Sequence, residues 1–176
     1  MAQAKEDHRT IEADERLATL PILVVNAHSR CNCRCVMCDI WKRSDTAEIS
    51  VASLERHRES LRRLRVQWVV LTGGEPLLRR DLVEIVGAAH DLGLYTNLVT
   101  SALGLSRPKA EQLRAAGLDH VQVSIQADEP AVSDRIAGTP SFRRKIEAMG
   151  LVTELGWPLT VNVVLHRQNI DRVAAV

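Results

Sequence analysis

Aromatic side chains make up only 3% of the 176 residues: three tryptophans, one tyrosine and one phenylalanine. Aliphatic packing must therefore build the core, and few rings remain on which nucleic acid bases could stack. An excess of charge of either sign is missing too, since 23 Lys and Arg stand against 22 Asp and Glu, a formal net charge of +1. No global field recommends nucleic acid or an anionic membrane as a partner. The longest apolar runs, such as Pro21–Val25 and Trp68–Leu71, fall far short of the roughly 20 residues of a membrane span. The first 20 residues mix acids and bases with no apolar segment. We read them as a polar extension without a secretory signal and expect a cytoplasmic protein. Repeats, low-complexity stretches and Gly/Ser/Pro-rich linkers are also lacking. With 45% hydrophobic and 26% charged residues, the chain is a globular domain of ordinary size or a piece of a larger one.

Short apolar runs alternate with longer amphipathic stretches. Strands are expected at residues 21–26, 67–72, 94–100, 120–126 and 159–165. Helices are expected at 50–65, with Ser50 as N-cap, and at 82–92, 108–116 and 142–155. The last three are each followed by a glycine: Gly93, Gly117 and Gly156. This alternation indicates an α/β fold with a parallel sheet, either open and doubly wound or a (β/α) barrel, with the chemistry at the C-terminal ends of the strands. Two strands carry polar residues where a fully buried parallel strand would be apolar throughout. These are Ser124 in VQVSIQ and Asn162 in TVNVVL, which suggest a polar lumen or ligand site on one face. The fifth strand has no later strand to cover it and would be an open edge. The expectation is thus the N-terminal part of a longer, truncated architecture.

All four cysteines, Cys31, Cys33, Cys35 and Cys38, lie within eight residues. In a reducing compartment such a group points to metal or redox chemistry before disulfides. A structural zinc site usually separates its ligand pairs by a dozen residues or more. An iron–sulfur cluster spreads its ligands over separate irons, so a short loop can supply several. Three cysteines on a four-iron cluster leave one iron open, and spacing does not say which three ligate. Gly73-Gly74-Glu75-Pro76 follows the second strand directly. Its glycines allow positive φ and close backbone approach, Glu75 offers a carboxylate to an ammonium group, and Pro76 fixes the start of the next turn.

These residues carry a resemblance. Cys31-x-x-x-Cys35-x-x-Cys38 after a first strand resembles the cluster loop of the radical S-adenosylmethionine (radical SAM) enzymes, and the second element resembles their GGEP motif. A narrower resemblance, carried by YTNLVTSALGL, AGLDHVQVSIQ, SDRIAG and LTVNVVLHRQNIDR, is to the peptide-cyclase branch of pyrroloquinoline quinone (PQQ) biosynthesis. The resemblance implies a partial (β/α)6 TIM-like barrel, with residues 21–176 as its N-terminal part of about five βα units. It implies a [4Fe–4S] cluster on Cys31, Cys35 and Cys38 whose open iron chelates S-adenosylmethionine. Reductive cleavage would give a 5′-deoxyadenosyl radical that abstracts hydrogen from a peptide, the chemistry of an oxidoreductase or lyase. Gly73, Gly74, Glu75 and Pro76 would embrace the methionyl amine. Ser124 and Asn162 would lie near the ribose and carboxylate, with Arg135 a further candidate, and the backbone around Met37 would lie near the adenine. The implied partners are a flavodoxin or ferredoxin-type electron donor and a peptide substrate with a peptide-chaperone protein.

Three departures stand out. Met37 occupies a position where the family usually has an aromatic residue, Cys33 is additional to the motif, and no cysteine follows Cys38 to ligate auxiliary clusters. A rival reading keeps the loop as an iron–sulfur module, or with the fourth cysteine a zinc module, without turnover. The arginines of the 54–65 helix are interleaved with Glu55 and Glu59 and read as a solvated face, and His28 and His166 read as structural.

Overall fold

Five strands lie side by side in chain order and all run parallel: Ile22–His28 (β1), Trp68–Gly73 (β2), Tyr95–Thr100 (β3), His120–Ser124 (β4) and Leu159–Asn162 (β5). The computed structural model describes residues 17–176, so most of the expected polar extension lies outside the described residues. Strand order decides between the two architectures that the sequence allowed. A doubly wound sheet reverses its strand order at a switch point. Five consecutive neighbours instead form the wall of a singly wound, unclosed barrel.

Val51–Arg56 (α1) and Arg58–Arg63 (α2) join β1 to β2, and Leu82–Asp91 (α3) and Arg107–Ala115 (α4) make the next two crossovers. Pro130–Ala137 (α5) and Phe142–Glu154 (α6) lie between β4 and β5. Ser50 caps α1 by accepting the Ser53 N–H at 3.1 Å. The single helix expected over 50–65 is broken at His57, whose φ of −94° and ψ of 5° leave the helical region and whose N–H bonds back three residues to Leu54. Helix α5 was not expected, because eight residues of low hydropathy read as a loop.

One face of the sheet is apolar. Val25, Ala27, Val69, Leu71, Leu98, Val121 and Val123 pack against Leu82, Ile85, Val86 and Ala89 of α3, Leu113 of α4 and Val152 of α6. Each fully buried aliphatic side chain contributes about 1.5–3 kcal/mol, and this layer holds the helices to the sheet. The opposite face follows the other parity of the strands. Its register partners include Asn26 with Thr72, Gln122 with Thr160 and Ser124 with Asn162. The polar alternation in the sequence thus marks the concave face of a curved wall. No helix among the described residues is long and apolar enough to cross a membrane.

The C-terminal end of α5 meets the cysteine loop. The N–H groups of Arg34 and Val36 donate to Ala137 O at 2.9 Å and Ile136 O at 3.0 Å, satisfying carbonyls that a helix end leaves without partners. Gly138 makes this docking possible. It caps α5 at φ +62°, and a Cβ there would overlap the Arg34 carbonyl. Gly138→Ala should destabilise the protein by about 2 kcal/mol, measured by urea denaturation, whereas Gly150→Ala, in open space on α6, should not.

Candidate active site at the C-terminal ends of the strands

The segment from Ser29 to Ile49 leaves the end of β1 and returns to it. Ser29 Oγ donates to Asp45 O at 2.9 Å and accepts the Ala47 N–H at 2.8 Å. His28 forms an antiparallel bridge with Glu48, and its Nδ1 lies 2.7 Å from the Glu48 carboxylate. His28 therefore has the structural role expected of it. Beside this base, the turn after β2 lies backbone against backbone on the start of the loop. Gly74 N–H donates to His28 O at 2.7 Å, and Glu75 N–H donates to Arg30 O at 2.8 Å. Gly73, at φ +126°, and Gly74 would drive a Cβ into the carbonyl oxygens of His28 and Arg30 respectively. Neither clash ends on a flexible side chain, so both positions require glycine.

Glu75 is fully buried. Its carboxylate accepts from Leu77 N–H at 3.0 Å, Thr100 Oγ1 at 2.6 Å, Ser101 N–H at 2.7 Å and Ser101 Oγ. The carboxylate that the sequence offered to an ammonium group is instead occupied by the chain itself, and it ties the end of β2 to the end of β3. Pro76, also buried, starts the short 3₁₀ turn Pro76–Leu78. Below it Arg79, likewise buried, reaches the Ala27 carbonyl of β1 and makes a two-pronged ion pair with Asp81 at 2.7 and 3.0 Å.

The loop and the strand ends enclose a cavity of about 240 Å³. All four cysteines line it, together with Gly73 and Gly74, Thr100 and Ser101, Ser124 and Gln126, Asn162 and Lys145. Cys33 is buried, Cys31 and Cys35 are half-buried, and Cys38 is exposed. Cys31 Sγ accepts the Cys33 N–H at 3.4 Å. The neighbouring Cys33 thiol and burial push Cys31 far above the ordinary thiol range. Cys33, pulled down by Cys31 but pushed up by the neighbouring Cys35 and by burial, ends raised, whereas Cys35, beside Cys33 and near the Lys145 charge, is lowered. The structure therefore brings Cys33 into the same cavity as the other three. Among the described residues no three Cys, His, Asp or Glu side chains converge closely enough to hold a single metal ion. Thiol donors from one short loop around a shared cavity fit a cluster, which takes its ligands at separate irons.

Of the residues singled out in the sequence, Cys31, Cys35, Cys38, Gly73, Gly74, Ser124 and Asn162 line the cavity. Asn162 Nδ2 lies 3.5 Å from Ser124 Oγ across the β4–β5 register. Glu75 and Pro76 support the cavity from behind. Met37 is half-buried outside the lining. Arg135 is exposed on α5, its Nε 3.4 Å from Gln168 Oε1, and does not line this cavity, which corrects its placement in the lumen. Thr100, Ser101, Gln126 and Lys145 were missed. The first three were legible as polar residues closing apolar strands, while Lys145 gave no sign in the sequence.

An unclosed parallel barrel wall with a thiol-lined cavity at its strand ends defines a class of cofactor-dependent α/β proteins. The family comparison is specific: residues 25–176 match the radical SAM superfamily, and the chain belongs to it. A protein of Methylobacterium sp. strain 4-46 named PqqA peptide cyclase is 45% identical over 166 residues, covering 90% of this chain and 43% of its own length. One of the same name from Streptomyces rochei is 40% identical over 164 residues, covering 91% and 44% respectively. The chain thus spans less than half the length of these relatives. In fold it resembles SuiB of Streptococcus suis, solved bound to the precursor peptide SuiA, with a TM-score of 0.78 at 21% identity over 89% of this chain and 36% of that one.

Replacing Glu75 by Ala leaves four donors without their acceptor, the Thr100 hydroxyl buried and the Leu77 and Ser101 groups half-buried, and each fully buried one costs about 1–3 kcal/mol. Glu75→Ala should therefore lower unfolding free energy by roughly 3 kcal/mol or more, read from denaturant midpoints. A loss below about 1 kcal/mol would return the side chain to a ligand-facing role.

Proposed function

We propose that this chain is the cofactor-binding half of a radical SAM peptide-modifying enzyme, with Cys31, Cys35 and Cys38 holding a [4Fe–4S] cluster beside S-adenosylmethionine. The observation that carries this reading is the shared cavity. Three thiols at the superfamily's spacing face Gly73, Gly74, Ser124 and Asn162 across a space closed on one side by the glycine turn. The donor set fits such a group: thiol ligands on one short loop, no convergence on a single point, and a cation among the lining residues. When bound, the pair supplies one-electron reductive cleavage and hydrogen-atom abstraction.

The protein's own share is positioning. Gly73 and Gly74 let the loop and the β2 turn share one backbone layer, so the thiols stay at a fixed distance from the strand ends. Ser124 and Asn162 present hydroxyl and amide groups from adjacent strands to the polar part of a nucleoside cofactor. Thr100 and Ser101, held by Glu75, continue that polar row onto β3. No side chain here has to transfer a proton for the first step. A peptide as substrate is supported by the name shared by the two relatives and by the peptide-bound state of SuiB. An electron donor of the flavodoxin or ferredoxin type and a peptide-chaperone partner belong to the same reading, as does a cytoplasmic location.

Anaerobic reconstitution with iron and sulfide tests it. The reduced protein should give a [4Fe–4S]⁺ EPR signal that changes on adding S-adenosylmethionine. Cys35→Ser should abolish the signal while Cys33→Ser preserves it. A signal lost in Cys33→Ser and kept in Cys35→Ser would reassign the ligands, and a signal indifferent to S-adenosylmethionine would remove the cofactor from this cavity.

A further inference from the structure

Helix α6 inverts the usual order of a surface helix. Its buried residues are Lys145, Ala148 and Val152, spaced three and four apart so that they form one stripe toward the sheet. Ile146, the next residue, is 45% exposed, whereas Lys145 is 1% exposed and among the largest fully buried side chains. An apolar residue has been placed outside and a cation inside. A buried charge costs stability unless it is paired, and no carboxylate among the described residues pairs with Lys145. A local rule broken without compensation marks a functional position.

The side chain lines the cavity that also holds the four thiols. Arg34 and Lys42, cations of the loop itself, line a separate opening with Trp41, Arg34 lying 5.9 Å from the Trp41 ring. Lys145 is thus the one cation among the residues lining the thiol cavity.

We propose that Lys145 is the resident counter-cation of this cavity. Resting on the cluster reading above, it offsets the negative charge that the thiolate ligands bring and raises the potential at which the site accepts an electron. Three thiolates around a four-iron cluster leave a net negative charge, and the electron taken up on reduction adds another. A fixed positive charge in a low-dielectric cavity stabilises the reduced form more than the oxidised one. Without the cluster, the same ammonium has no carboxylate partner among the described residues.

Both halves of this statement are measurable on the whole chain. In the iron-free protein, Lys145→Met should raise the melting temperature, because an apolar side chain of similar length replaces a buried charge without that partner. After anaerobic reconstitution, the midpoint potential, titrated with dithionite and read by EPR, should be more negative in Lys145→Met than in wild type. Lys145→Arg should keep a potential near wild type, a rescue that a purely structural role would not require. Cluster uptake by the Arg variant but not by the Met variant also supports the proposal, since the charge would then be needed for assembly. An iron-free Met variant that melts lower than wild type would show that the chain itself partners the ammonium, and would overturn the proposal. So would a fully loaded Met variant with an unchanged potential, even with weaker S-adenosylmethionine binding, which would assign the charge to the cofactor's carboxylate. A wild-type chain that binds no iron and sulfide overturns the cluster reading and this proposal together, whereas a loaded chain indifferent to residue 145 overturns only the latter.

Discussion

Two strand ends and the cysteine loop meet at Glu75, and the site depends on how that one residue is bonded. Its backbone N–H holds the Arg30 carbonyl at the start of the loop, while its carboxylate holds Thr100 and Ser101 at the end of β3. In a parallel sheet the C-terminal ends carry carbonyls and loops with no ladder to hold them. A buried carboxylate with several donors supplies that missing order in a low-dielectric setting where charged hydrogen bonds are strong. Gly73 and Gly74 are the condition for it, since any Cβ there would push β2 away from the loop. The acid faces inward, so this turn presents Gly73 and Gly74 and not the carboxylate to the cavity.

Much of this was legible in the residues. Strand and helix periods differ enough that the βα alternation could be read, and the polar positions Ser124 and Asn162 correctly indicated that one face of the sheet is not core. Four thiols in eight residues located the site. The strand order could not be read, because a doubly wound sheet and a barrel wall need the same local pattern; only the pairing of β1 to β2 and onward separates them. Helix α5 was missed although Pro130 and Gly138 bracket it as a first-turn proline and a left-handed cap, since its few apolar residues gave too short a period.

Direction was the property least available from sequence. The sequence offered Glu75 as a carboxylate for a ligand, yet which way that carboxylate turns depends on donors contributed 25 residues later. Arg135 sits in a segment that resembles the superfamily, but the helix register points it to solvent. Lys145 posed the opposite problem. A lysine within FRRKIEAM reads as one more cation on a wet face, and only the burial of Lys145 beside an exposed Ile146 shows that the stripe has rotated.

The docking of the cysteine loop on α5 has a consequence for how the chain is made. Arg34 and Val36 find their hydrogen-bond acceptors at Ala137 and Ile136, about a hundred residues downstream, and the last two carbonyls of the helix find their donors in the loop. Neither partner is complete before the other emerges from the ribosome, which at 5–20 residues per second takes roughly 5–20 s. Throughout that interval the loop has no docking partner, so Cys33, buried in the finished fold, is open to oxidants and stray metals until α5 is made.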